Sequence, residues 1–218
     1  MHISRIEHNI EQNSLDWINL RMGKITSSQM QSVLPNSKGY GSARDTYLNK
    51  LVAERVLQGR CDADMWSNPH VNRGHELENE ARMLYELETG NIVKETGFIE
   101  LNEYIGCSPD GLVGDDGIIE IKCKDNHKFV EQIIKSEKAI EKQYVTQIQS
   151  NLFITDRQWC DYICFNPKFE NPLWVYRIKR DEKFIELLKE QLEKAIDEIQ
   201  KRECLSLIHI SEPTRPIR

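Results

Sequence analysis

The chain has 218 residues, with 29 Lys and Arg against 35 Asp and Glu, which gives a formal net charge of −6. A single core serves chains of up to roughly 250 residues, so this length indicates one domain. No apolar run approaches the ~18 residues of a membrane span, which excludes an integral membrane protein built of helices. The acidic balance also argues against binding nucleic acid over the whole surface, although it allows positive charge concentrated in one channel.

The N-terminal ten residues carry charge without an apolar run, so we expect no signal peptide and a cytoplasmic location. The six cysteines are scattered and form no CxxC pair; Cys160 and Cys164 are the closest. In a cytoplasmic chain this pattern predicts reduced, mostly buried thiols. An iron–sulfur cluster held by four of them is the alternative.

The first half of the chain is predicted to be mainly helical, because its apolar residues recur at helical spacing. The predicted helices cover residues 14–20, 26–34, 43–57 and 74–87. Thr26 is a candidate N-cap for the second of them. A loop rich in helix-breaking residues separates the second and third helices at residues 35–41, and residues 61–71 are expected to be irregular.

The second half alternates between strands and helices. The predicted strands cover residues 92–101, 105–112, 117–122, 159–165 and 173–179. The Gly- and Asp-rich residues 114–117 predict a hairpin turn. Helices are predicted at residues 139–153 and 181–202. Helices on both sides of a strand cluster indicate an α/β fold with a central mixed sheet.

The last fourteen residues, LSLIHISEPTRPIR, share none of the periodicity of the helix before them. The string resembles the translation of a transposon-based sequencing adapter, and such segments are left out of fold reasoning. We therefore expect one domain over residues 1–204, followed by an adapter-derived or disordered tail at residues 205–218. On this reading the natural C-terminus is not represented. A natural flexible tail is the alternative.

Residues 118–122 (IIEIK) carry the strongest chemical signal. The strand period of two directs Glu120 and Lys122 to one face of the strand and the isoleucines at 119 and 121 to the other. Asp110, on the preceding arm of the predicted hairpin, can reach the same point. Two carboxylates with a nearby backbone oxygen suit Mg²⁺ or Mn²⁺. Lys122 could hold or deprotonate an attacking water, or stabilise the transition state of a reacting phosphate. The alternative is a solvated hairpin face with a cross-strand ion pair.

Asp110 followed by Glu120-Ile121-Lys122 resembles the PD-(D/E)XK nuclease signature, and Pro109 supplies its proline. Four further blocks resemble, in order and spacing, those of the YqaJ-like viral recombinase family, which includes phage lambda exonuclease. They are residues 17–28 (WINLRMGKITSS), 73–85 (RGHELENEARMLY), 107–111 (CSPDG) and 144–149 (YVTQIQ). The resemblance covers about residues 14–203 and implies a restriction-endonuclease-like core with a central mixed sheet flanked by helices.

The resemblance also implies roles for residues at the metal site. Asp110, Glu120 and the backbone carbonyl of Ile121 would bind the metal, and Glu78 would contact the same site from the preceding helix. A solvated helix position is the alternative for Glu78, since Glu76 and Glu80 lie beside it in the sequence. Gln147 matches a family glutamine and is expected to act with the catalytic Asp110, Glu120, Lys122 and Glu78. A buried structural amide is the alternative for Gln149.

A second set of residues matches family positions that bind the 5′-phosphate of a DNA end: Arg21, Ser28 and Ser108. Arginine offers a planar fork to phosphate oxygens, and hydroxyl groups add donors. Ser28 could instead cap a helix or lie on the surface. Where the family has an arginine at this pocket, this sequence has Lys128, a point charge without the bidentate fork. The family also commonly continues Glu-x-Lys with Cys-Pro, whereas this chain has Cys123-Lys124.

The resemblance implies a metal-dependent 5′→3′ double-strand DNA exonuclease that uses Mg²⁺, for which Mn²⁺ would substitute. It also implies a ring-shaped homotrimer that binds double-stranded DNA ends, a single-strand annealing protein as partner, and a phage or prophage gene expressed in a bacterial host. Two alternatives stay open. One is an endonuclease or RecB-like nuclease module of the same fold, and the other is an inactive protein that binds DNA ends.

Overall fold

The computed structural model describes residues 5–37, 39–58 and 69–211. The α/β fold class is confirmed: in this part of the chain the strands form two sheets, and helices pack against both. The elements in chain order are β1 (Ile6–His8), α1 (Leu15–Arg21), β2 (Ile25–Thr26), α2 (Met30–Val33), α3 (Ser42–Leu57), α4 (Pro69–Thr89), β3 (Val93–Lys94), β4 (Phe98–Asn102), β5 (Ile105–Cys107), β6 (Gly111–Val113), β7 (Gly117–Cys123), α5 (Asn126–Lys135), α6 (Lys142–Thr155), β8 (Trp159–Phe165), β9 (Leu173–Lys179) and α7 (Glu182–Ser211).

The smaller sheet has the strand order β1–β4–β5–β2, and the larger has β3–β6–β7–β8–β9. In the larger sheet β7 is the central strand, antiparallel to β6 and parallel to β8. The β6–β7 pair is the predicted hairpin, with Gly111 opposite Ile119. A parallel neighbour requires a crossover connection, which here contains α5 and α6. The crossover therefore brings α6 back over the central strand.

Both faces of β7 are covered. On one face Ile119 and Ile121 belong to the same hydrophobic cluster as Tyr85 of α4. On the other face Ile118 belongs to a larger cluster that contains Ile148 of α6. Each fully buried aliphatic side chain contributes roughly 1.5–3 kcal/mol to folding. The face that carries Glu120 is consequently not the solvated hairpin surface of the alternative reading.

Several predicted elements differ from the observed ones. The predicted helix at residues 26–34 is instead strand β2, a short 3₁₀ helix (Ser27–Gln29) and α2. Thr26 occupies the N-cap position of the 3₁₀ helix, as predicted, but makes no side-chain capping bond, and its backbone pairs in parallel with Gly106. The predicted strand at residues 92–101 is divided between the two sheets at Gly97. A Cβ at Gly97 would lie 2.2 Å from the Ile10 carbonyl oxygen, so the close approach of the two chain segments requires glycine there.

The first and last helices begin as their sequences predict. Ser14 caps α1 by accepting a hydrogen bond from the Trp17 backbone N–H at 3.2 Å. The Asp181 carboxylate accepts from the backbone N–H groups of Lys183 and Phe184 at the start of α7. The structure continues α7 to Ser211, beyond its predicted end. Residues 212–218 of the predicted tail lie outside the described residues.

Strands β8 and β9 have the predicted bounds, whereas β1 and α5 were not predicted. The predicted irregular segment 61–71, which includes Cys61, falls mostly outside the described residues, and its last three residues belong to α4. The five described cysteines are free thiols. No helix in the described part of the chain has the length and apolarity needed to cross a membrane.

A buried polar cluster joins β8 to its neighbours. Asp161 is 3% exposed and accepts two hydrogen bonds from the Arg177 guanidinium, both at 2.8 Å. It also accepts one from the Tyr85 hydroxyl at 2.7 Å, which ties α4 to the sheet. Arg177 in turn stacks on the Trp159 ring at 3.6 Å. This cluster fixes β8, the parallel neighbour of the strand that carries Glu120.

Asp161→Asn should lower the free energy of unfolding by about 2 kcal/mol, because it removes the charge of the buried partner in a bidentate ion pair. Urea denaturation followed by circular dichroism measures the change. The matched control is Asp115→Asn on the exposed β6–β7 turn, which should change stability by less than about 0.5 kcal/mol. Equal effects of the two substitutions would show that the buried cluster does not stabilise the sheet.

Candidate active site

The site is assembled where the loop between β5 and β6 meets the central strand β7. Asp110 follows Pro109 in that loop, and its Oδ2 accepts a hydrogen bond from the backbone N–H of Ile121 at 2.6 Å. This bond crosses the hairpin and connects the two arms of the sequence motif. It also places the carboxylate of Asp110 beside the backbone of the residue between Glu120 and Lys122.

Glu120 projects from β7 toward α6 and is fully buried. Its Oε1 accepts hydrogen bonds from Lys122 Nζ and Gln147 Nε2, both at 2.6 Å. Its Oε2 accepts one from Asn151 Nδ2 at 3.1 Å. Burial raises the pKa of Glu120 to about 7, although the neighbouring Lys122 opposes the change. The carboxylate is thus held in one orientation by three donors.

Lys122 lies on the same face of β7, two residues further along. Burial acts to lower its pKa, but the carboxylates of Glu120 and Asp110 outweigh this and raise the pKa above its ordinary value. The ammonium group lies 5.2 Å from the centre of the Tyr144 ring, within the range of a cation–π contact. Lys122 is therefore an ammonium ion with a defined position.

Glu78, on α4, interacts electrostatically with Asp110, Lys122 and Glu120. Burial and the charge of Asp110 raise its pKa to about 8, and Glu120 adds to the effect. Like charges that crowd together in this way are a common property of sites that bind cations or perform acid–base chemistry. The solvated-surface alternative for Glu78 does not agree with this environment.

The donor set fits a hard divalent cation in chemical type. Mg²⁺ is usually held by one or two carboxylates with water completing an octahedron. Asp110 and Glu120 supply such carboxylates, Ile121 supplies a backbone carbonyl between them, and a cation would relieve the repulsion that acts on Glu78. Among the described residues, no three acidic, His or Cys side chains are grouped tightly enough to enclose an ion by themselves. A divalent cation bound here would therefore keep some of its water ligands.

The two glutamines of α6 have different environments. Gln147 contacts Glu120, as expected for a site residue. Gln149 points elsewhere: its amide donates to the Lys179 carbonyl and accepts from the Asp181 backbone N–H, which joins α6 to the β9–α7 connection. Gln149 is thus a structural amide. Asn151, which sequence reasoning missed, lies four residues after Gln147, and this helical spacing could have predicted it.

Arg21 and Ser108 lie together, as predicted, beside the motif. Arg21 Nη1 donates to the Ser108 hydroxyl at 3.2 Å. Trp17 was not predicted as part of this group, yet its indole N–H donates to Ser108 Oγ at 2.8 Å and to the Gly97 carbonyl at 3.1 Å. The Arg21 guanidinium lies over the Trp17 ring at 4.1 Å. The group presents the guanidinium of Arg21 and the hydroxyl of Ser108, and Ser108 lies two residues before Asp110 in the sequence.

The other two predicted phosphate ligands make different contacts. Ser28 lies in the 3₁₀ helix after β2, where its hydroxyl is 3.4 Å from that of Thr26. Lys128 is an exposed residue of α5, and its ammonium group lies 3.8 Å from the carboxylate of Glu141. These contacts do not join Ser28 or Lys128 to the Arg21–Ser108 pair.

Comparisons with known proteins agree with this site. The chain matches the model of the YqaJ-like viral recombinase domain over residues 16–158. It is similar to the crystal structure of an alkaline exonuclease from Laribacter hongkongensis, with a TM-score of 0.81 and 30% identity over 91% of this chain and 98% of that one. A complex of the same exonuclease with dAMP gives the same values.

A phage-related exonuclease from Haemophilus somnus 129PT shares the fold, with a TM-score of 0.63 and 18% identity over 86% of this chain and 96% of that one. Among curated proteins, none matches this chain. Fold and motif together define a nuclease of the PD-(D/E)XK type, related to phage exonucleases. The chain belongs to the YqaJ-like viral recombinase family, which confirms the resemblance seen in the sequence.

The raised pKa values of Glu78 and Glu120 predict how stability depends on pH without metal. The folded protein keeps the Glu78 proton up to about pH 8, whereas the unfolded chain releases it near pH 4.5. Stability should therefore fall as the pH rises through this window and level off above it. Thermal unfolding in EDTA between pH 5 and pH 9 measures the slope.

The control for this slope is Glu78→Gln, which removes one titrating group and should give a shallower fall in the melting temperature. Adding Mg²⁺ to the wild type at pH 8.5 should restore part of the lost stability, since a cation favours the ionised carboxylates. Identical slopes for the two proteins would mean that Glu78 does not keep its proton in the folded state.

Proposed function

We propose that the protein is a metal-dependent 5′→3′ double-strand DNA exonuclease. It would hydrolyse phosphodiesters from a 5′-phosphorylated end, release 5′-mononucleotides and leave a 3′ single strand. The observation that carries the proposal is the buried Glu120 carboxylate, held by Lys122, Gln147 and Asn151 next to Asp110. A buried ionisable group of this kind is costly to fold and is typical of a reaction centre.

In this proposal Asp110, Glu120 and the Ile121 carbonyl hold Mg²⁺, for which Mn²⁺ substitutes, and Glu78 contacts the same site. The bound ion would polarise the scissile phosphate and lower the pKa of a bound water. Gln147 and Asn151 orient the Glu120 carboxylate through their amide groups. These two amide contacts are present in the structure.

Lys122 has a narrower role than the sequence alone allowed. Because its pKa is raised, it stays an ammonium ion at neutral pH and is a poor proton acceptor. We therefore assign it to the stabilisation of negative charge on the phosphate oxygens and to holding the attacking water. The ion pair with Glu120 and the nearby Tyr144 ring keep the ammonium group in place.

Arg21 and Ser108 would bind the terminal 5′-phosphate, since a guanidinium and a hydroxyl two residues from Asp110 suit a phosphate next to the scissile one. Ser28 and Lys128 remain proposed members of this pocket. The sequence resemblance further supports a homotrimeric ring around DNA, a single-strand annealing protein as partner, and action in the cytoplasm of a bacterial host of a phage or prophage. A ring would focus positive charge inward despite the acidic composition.

The dependence of digestion on the DNA end distinguishes the proposed exonuclease from the alternative functions. Linear duplex DNA with a 5′-phosphate should be digested at least about tenfold faster than the same DNA without one, because the Arg21–Ser108 pocket loses its ligand. Closed circular DNA should be resistant. Gel analysis of the products over time measures both. Efficient nicking of circles would favour an endonuclease, and binding to ends without digestion would favour an inactive end-binding protein.

Asp110→Asn should lower the rate of Mg²⁺-dependent digestion by at least about 100-fold, because it removes a charged metal ligand. The amide oxygen of asparagine can still accept the Ile121 N–H, so the melting temperature should change little. The matched control is Asp115→Asn, which should digest DNA at the wild-type rate. Wild-type activity in Asp110→Asn would exclude this metal site.

A further inference from the structure

A cavity of about 730 Å³ opens beside the candidate active site. Asp110 and Glu78 lie at its edge, the chain segment 9–14 forms one wall, and Asn79, Arg82 and Thr96 line another. The volume is sufficient for a nucleotide unit and exceeds what a metal ion and its waters need. None of the roles assigned above uses Arg82 or Thr96.

Two buried polar atoms in this wall have unused hydrogen-bonding capacity. Thr96 is only 6% exposed, and its hydroxyl oxygen has no hydrogen-bond partner among the described residues; the same is true of Arg82 Nε. An unsatisfied buried polar group is costly to fold, so its retention indicates a partner in another state of the protein. A donor on a guanidinium and a hydroxyl together suit a phosphate oxygen.

The Arg82–Glu95 ion pair is easily replaced. Arg82 Nη1 lies 2.7 Å from Glu95 Oε1 and also donates to Asn79 Oδ1 at 3.3 Å, but the Glu95 side chain is 75% exposed. Ion pairs with such an exposed member contribute little to stability because water and salt screen them. A phosphate is an acceptor of the same charge and similar geometry, and could take the place of the Glu95 carboxylate at little cost.

The position of Arg82 relates the cavity to the reacting phosphate. Arg82 follows Glu78 by four residues on α4, about 6 Å along the helix axis. Successive phosphates of one strand are about 3.4 Å apart along the axis of duplex DNA, so this separation corresponds to about two nucleotide steps. A group at Arg82 therefore reaches a neighbouring phosphate, and not a distant one.

We infer that Arg82 and Thr96 form a subsite for a backbone phosphate of the DNA strand, next to the phosphate that is hydrolysed and separate from the 5′-phosphate pocket at Arg21 and Ser108. The Arg82–Glu95 pair opens when DNA binds, and the phosphate replaces Glu95 as the acceptor. The inference rests on the proposed function, because it assumes that a DNA strand passes the Asp110 site.

The test measures binding of a 5′-phosphorylated duplex by fluorescence anisotropy, with Ca²⁺ in place of Mg²⁺ to suppress hydrolysis. Arg82→Gln should weaken binding about tenfold. Arg202→Gln, which removes the same charge from α7, should bind like the wild type. Glu95→Gln should bind more tightly than the wild type because it removes the competing carboxylate. Its control is Glu88→Gln, which removes an exposed carboxylate from α4 and should bind like the wild type.

Duplexes with a neutral methylphosphonate at the first, second or third linkage then locate the contact. At one position the neutral linkage should weaken wild-type binding and abolish the difference between wild type and Arg82→Gln. A tenfold difference that persists at every position would mean that Arg82 acts only through the fold. Equal binding of wild type and Arg82→Gln to the unmodified duplex would also overturn the inference.

Thr96→Val keeps the inference testable if Arg82→Gln does not fold. Removing an unpartnered buried hydroxyl should leave the melting temperature unchanged or raised, yet weaken duplex binding about threefold. A stable variant with wild-type binding would contradict the subsite. If the wild type itself does not bind duplex ends, both the proposed function and the subsite are wrong. If the wild type binds and the variants bind equally well, only the subsite is wrong.

Discussion

The buried carboxylate of Glu120 is the constraint on which the site depends. Removing such a group from water costs several kcal/mol, which only close donors can offset. The three donors come from β7 itself and from α6, so the β7–α6–β8 crossover must bring α6 directly over the central strand. The fold and the site therefore share one requirement: if α6 were displaced, Glu120 would be buried without partners.

The packing and hydrogen bonds around Glu120 meet this requirement. The sheet that carries Glu120 is packed on both faces, and the Asp161–Arg177 pair fixes the neighbouring strand. Asp110 is bound to the backbone of β7 itself, so its distance from Glu120 does not depend on a mobile loop. Rigid positioning of this kind is what a hydrolytic site needs, because small displacements of catalytic groups reduce rates strongly.

Much of this could be predicted from the sequence. The period of two placed Glu120 and Lys122 on one face, the Gly- and Asp-rich turn predicted the β6–β7 hairpin, and β8 and β9 have their predicted bounds. These signals are local. The division into two sheets was not predictable in the same way, because it depends on Gly97 packing against the distant Ile10 carbonyl.

The site, like the fold, could be predicted only in part from the sequence. Asp110, Glu120, Lys122 and Gln147 meet as the motif predicted, whereas Lys128 is paired with Glu141 on the surface of α5. Asn151 was missed although it lies four residues after Gln147, the spacing that places both amides on one face of α6. Trp17 and Ser108 are far apart in the sequence, so only the tertiary structure reveals their contact.

The acidic composition is compatible with binding DNA, because acidic side chains at the site can hold a cation. Burial, together with the charge of Asp110, raises the pKa of Glu78, and a bound cation would offset the repulsion between these carboxylates and attract phosphate. The measurement that tests this most directly is a crystal structure with Mn²⁺, located by its anomalous scattering. We expect a Mn²⁺ ion bound by Asp110, Glu120 and the Ile121 carbonyl. Mn²⁺ bound elsewhere, with none at these oxygens, would contradict it.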